Sequence, residues 1–76
     1  MEVSYTLDTW NRIIDTIANR RMTFATGHHE RAAYGFAQQL MEDVLEAATD
    51  EDDLITIDFG DNWDAYLIVN QAAIAS

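Results

Sequence analysis

The sequence predicts an α+β domain: two antiparallel helices packed on a β-hairpin in the order ααββ, with Val3-Ser4-Tyr5 available as a short third strand from the N-terminus. Three observations carry this. Apolar residues recur at three- and four-residue spacing through the first half of the chain, the mark of helix faces. Between Leu54 and Asn70 the period shortens to alternation among β-branched and aromatic residues. And 76 residues with 49% apolar and 24% charged side chains are the make-up of one small folded domain, residues 1–76, rather than of a disordered tail.

The first helix is expected over residues 7–21. Thr6 is placed to act as its N-cap, its hydroxyl taking the free amide of Asp8 or Thr9, and Asp8 suits the positive end of the helix dipole. Leu7, Trp10, Ile13, Ile14 and Ile17 form one apolar stripe, and Arg20 and Arg21 sit where the negative helix end favours cations. Thr23 to Gly27 reads as a connection, with Gly27 free to take a left-handed turn.

The second helix is expected from His29 to Ala48. Ala33, Phe36, Ala37, Leu40, Met41, Val44, Leu45 and Ala48 give it a broad apolar face, with Glu42, Asp43 and Glu46 turned to water. Gly35 in its middle costs about 1 kcal/mol against alanine, which a close helix crossing near Ile13 or Ile17 would explain. Thr49 to Asp53 form an acidic loop that holds Asp50, Glu51, Asp52 and Asp53.

Leu54–Phe59 and Trp63–Asn70 are then read as the two strands of a hairpin around Gly60-Asp61-Asn62. A three-residue loop pairs Phe59 with Trp63, Ile57 with Ala65 and Ile55 with Leu67, putting the apolar set on one face. That register sets Asp58 opposite Asp64 and turns Tyr66 outward beside them, a like-charge pairing that destabilises a strand pair. Trp10, Phe24, Tyr34, Phe36, Phe59 and Trp63 are assigned to the core, Tyr5 and Tyr66 to the surface.

Charge is the other informative feature. Arg31 is the last basic residue, and the 45 residues after it hold ten carboxylates: Glu42, Asp43, Glu46, Asp50, Glu51, Asp52, Asp53, Asp58, Asp61 and Asp64. Before that point Arg12, Arg20, Arg21 and Arg31 balance Glu2, Asp8, Asp15 and Glu30, so the formal charge of −10 belongs to the second part of the molecule. Such a field repels nucleic acid and acidic membrane and attracts basic surfaces.

Other chemistries find little support. The adjacent pair His28-His29 cannot share a helical face as ligands spaced by three or four do, and there is no cysteine for a thiolate zinc site. Asp58, Asp61, Asn62 and Asp64 resemble a calcium loop in composition only, since their spacing lacks the alternate oxygens and closing glutamate of an EF-hand. No metal or cofactor is expected. With two serines near the termini, no cysteine and no lysine, the chain is not expected to be an enzyme. No apolar run approaches the roughly 20 residues of a membrane span, and no signal peptide is visible, so a soluble, cytoplasmic protein is expected. A core this small is compatible with a homodimer.

The expected function is that of a non-enzymatic inhibitor, encoded by a phage or mobile element. It would occlude the Arg/Lys-rich nucleic-acid-binding surface of a host protein or ribonucleoprotein without binding nucleic acid itself. The expected contacts are the ten carboxylates after Arg31 together with Tyr66. Carboxylates two apart on a strand or four apart on a helix lie roughly 6–7 Å from each other, close to the interval between successive phosphates. Small acidic anti-CRISPR and anti-restriction proteins have this general character; the likeness is one of size and charge, with no family motif behind it. The alternative is a protein-protein adaptor or antitoxin that binds through an apolar helix face, its charge serving solubility. A divalent-metal module is a third class, which predicts a calcium-dependent rise in melting temperature.

Overall fold

A computed structural model describes residues 1–75. The chain runs β1 (Glu2–Thr6), α1 (Leu7–Arg21), α2 (His29–Leu45), β2 (Leu54–Asp58) and α3 (Trp63–Ala75). The mixed α+β class holds, but the order ααββ does not: a strand precedes the helices, and the second hairpin strand expected at Trp63–Asn70 is a helix.

The N-terminal strand takes the place of that missing hairpin arm. β1 pairs antiparallel with β2, setting Val3 across from Ile57 and Tyr5 across from Ile55. These four side chains turn toward the helices, Ile57 buried and the others partly so. Ser4 and Thr56 lie on the outer face, their hydroxyls 2.6 Å apart. Phe59 N–H donates to the Met1 carbonyl at 2.8 Å, one bond beyond the ladder.

α1 continues from β1 with no intervening loop. Thr9 N–H donates to the Thr6 hydroxyl at 3.3 Å, the cap expected from the sequence. Its stripe of Leu7, Trp10, Ile13 and Ile17 is buried, and the Trp10 indole N–H donates to the Ile55 carbonyl at 2.9 Å, tying helix to sheet. Tyr5 packs edge-on against Trp10, ring centroids 5.1 Å apart. α2 buries Ala37, Met41 and Leu45 at four-residue spacing and ends three residues before Ala48. Gly27 in the connection has φ +88°, the left-handed conformation expected of it.

Gly35 faces neither Ile13 nor Ile17. A Cβ there would come 3.3 Å from Nε of Arg21, so the small residue leaves room for a guanidinium lying over α2.

α3 forms because Gly60, with φ +56°, and Asn62 begin a helix where the sequence suggested a hairpin turn. Asn62 caps it: Ala65 N–H donates to its side-chain oxygen at 3.1 Å, and Asp64 stands in the first turn. Ala65, Ile68, Val69 and Ala72 then fall at i, i+3, i+4 and i+7 and fill the space over α1 and α2. The alternation that suggested a strand arises because a second apolar set, Trp63 and Leu67, interleaves with the first. Trp63 and Phe36, both assigned to the core from the sequence, are 61% and 56% exposed.

Candidate functional surface

The ten carboxylates beyond Arg31 are all exposed. Two ion pairs occur among the described residues, Arg12 with Asp8 and the Met1 ammonium with Asp58, so only one of the ten has a cationic partner. Along the chain they fall into two groups on either side of the core of β2, a strand that spans about 13 Å at its usual rise per residue.

The first cluster begins in the last turn of α2 and continues through the loop that leads to β2. Gln38 and Gln39 donate to Glu42 and Asp43 across one helical turn, at 3.1 and 2.9 Å, and so fix both carboxylates on the outer surface. Glu46 is the C-cap residue of the helix. The acidic loop is held by its backbone: Leu7 N–H donates to the Asp53 carbonyl at 3.0 Å and Asp8 N–H to the Glu51 carbonyl at 3.2 Å. The loop therefore sits against the positive end of the α1 dipole, which favours the charge of Asp50, Glu51, Asp52 and Asp53.

The second cluster is Asp58, Asp61 and Asp64, around the junction of β2 and α3. Asp58 is not opposite Asp64; its partner across the sheet is Glu2, and Asp64 lies on a helix. Asp58 accepts from Gly60 N–H at 2.8 Å and from the Met1 ammonium at 3.3 Å. The backbone bond first, and the ammonium second, hold its carboxyl below the ordinary carboxylate range. Tyr66 does not stand outward among these carboxylates. It is half-buried on α3, packed against the core and edge-on to Trp63 with centroids 6.0 Å apart.

No protein-family model, no curated protein and no solved structure matches this chain. The surface must therefore be read from its own chemistry.

Two features of it escaped the sequence reading. α3 is apolar on both sides. At 100° per residue, Trp63, Leu67 and Ile74 fall within about 40° of one another and face almost directly away from the buried set. They are 61%, 51% and 87% exposed. Beside Leu67, α2 and α3 enclose an open cleft of about 350 Å³. Ala33, Tyr34, Leu67 and Ile68 line it together with the carboxylates Glu30 and Asp64, with His29 and Gln71, and no arginine is among the lining residues. Once residues 63–75 are read as a helix, the spacing of four and seven exposes the stripe; Glu30 gave no signal because its neighbour in the cleft lies 34 positions away.

Among the described residues no three His, Asp or Glu side chains are grouped closely enough to hold a metal ion, and no helix is long and apolar enough to cross a membrane.

Proposed function

We propose that this protein is a non-enzymatic inhibitor, of the type carried by phages and mobile elements, that occludes a basic nucleic-acid-binding surface of a host defence or nucleic-acid-handling complex. One observation carries the reading: ten exposed carboxylates, nine of them without a cationic partner, on a chain whose last arginine is Arg31. Unneutralised carboxylates at the surface generate a field that steers a basic partner and is screened by salt. Side-chain and backbone hydrogen bonds hold Glu42, Asp43 and the 50–53 loop in place, so less ordering is required when they meet arginines.

The test is capture from host lysate with C-terminally tagged protein at low and high salt. The expected outcome is a nucleic-acid-handling complex that is released by high salt and competed by DNA or RNA. Capture that survives high salt and ignores nucleic acid would overturn the reading. It would instead favour the adaptor or antitoxin class, for which the exposed face of α3 is the specific support.

A further inference from the structure

We propose that the outer face of α3 is the apolar centre of the partner interface, and that its occupant is an amphipathic helix whose apolar stripe is flanked by arginine. This rests on the reading of the protein as a binder of basic surfaces and names the element it binds.

α3 carries Trp63, Leu67 and Ile74 on the side turned to water, opposite its buried set of Ala65, Ile68, Val69 and Ala72. Trp63, Leu67 and Ile74 repeat at four and seven residues, the spacing with which one helix presents an apolar seam to another. Trp63 is a residue type that dominates interface energetics. Charge selects the occupant. Asp64 is the one charged residue on α3, and it shares the cleft beside Leu67 with Glu30. The cleft lining thus combines four apolar side chains with two carboxylates, which suits a guanidinium carried on an aliphatic stem. Asp58 and Asp61 precede Trp63 and supply further carboxylates at that end of the stripe. A second copy of the chain would bring a charge of −10 against −10 and offers no arginine on α3 for the cleft.

The test uses the full chain and synthetic helical peptides of about 20 residues, long enough to hold helix in water. One carries an apolar seam at i, i+4 and i+11 flanked by arginines; a second keeps the arginines and replaces the seam with serine; a third keeps the seam and replaces the arginines with glutamine. Trp10 is fully buried and Trp63 exposed, so a blue shift of tryptophan emission reports burial of Trp63. The first peptide should bind with a blue shift, and each of the others at least about tenfold more weakly. Leu67→Ala and Ile74→Ala should each weaken the first peptide about tenfold with no change in melting temperature, because both side chains are exposed. The double change Glu30→Gln, Asp64→Asn should abolish the preference for arginine over glutamine.

Equal binding of the first two peptides, with Trp63 emission unmoved, would overturn the α3 interface while leaving the acidic-surface reading standing. Equal binding of the first and third, unaffected by the Glu30 and Asp64 changes, would overturn the arginine-flanked occupant and count against the reading of the protein as a binder of basic surfaces. A dimer in sedimentation with Trp63 already blue-shifted would make the occupant a second copy, and binding of none of the peptides would also overturn the inference.

Discussion

Asp58 shows how one side chain changes meaning with its setting. Opposite Asp64 it would be a liability, and replacing it with asparagine would stabilise the fold. With Gly60 N–H and the Met1 ammonium as its partners it is a fastening, and the sign reverses. Asp58→Asn should lower the urea midpoint of the free protein at neutral pH. Its carboxyl ionises more readily folded than unfolded, so this contribution is complete above the unfolded-state value and lost as pH falls through the lower folded one. The gap between wild type and variant should therefore close on acidification, as paired urea titrations from pH 6 down to pH 2 would measure. Gly35 gives a second residue-level prediction. Gly35→Ala removes a mid-helix penalty of about 1 kcal/mol, and the crowded atom is the far end of the flexible Arg21 side chain. The change should raise stability by up to about that amount in denaturant melts; a loss would mean that the guanidinium cannot yield.

At the scale of elements, what was legible divides by how local the cause is. The bounds of α1 and the Thr6 cap follow from an uninterrupted 3.6-residue period and a hydroxyl immediately before it. β2 was legible from its β-branched alternation, but its partner was not, because strand pairing is decided by which edge lies free in space rather than by adjacency in the chain. α3 was misread because Trp63, Ala65, Leu67 and Val69 alternate as well as any strand. The competing helical set, Ala65, Ile68, Val69 and Ala72, wins because α1 and α2 leave an apolar surface that only a third helix covers here. The same misreading hid the exposed seam, and with it half of the candidate interface; the carboxylates were legible because exposure of charge needs no topology. The cap offers a direct check. Asn62→Ala should cost about 1 kcal/mol, with loss of helical signal confined to residues 63–75 in backbone chemical shifts. Strand shifts over those residues in the wild type would refute the helix outright.

For the molecule as a whole, a charge of −10 on 76 residues opposes compaction as well as attracting partners. Two ion pairs among the described residues offset little of it. Raising sodium chloride from about 10 mM to about 1 M shortens the Debye length from about 30 Å to about 3 Å. The melting temperature should rise across that range, most of all in variants that keep every carboxylate. Replacing Asp50, Glu51, Asp52 and Asp53 with their amides should flatten the salt response, as calorimetry at matched pH would show.

The sheet adds a constraint on how this molecule assembles in time. Even the innermost rung, Thr6 with Leu54, joins residues 48 positions apart, so over half of the chain must be gathered before any rung of that ladder closes. α1 and α2 are neighbours in sequence and carry short-range contacts, whereas β1 has nothing nearby to pair with until β2 arrives. The N-terminal strand, although it precedes both helices in the chain, should then be the last element to find its place in refolding.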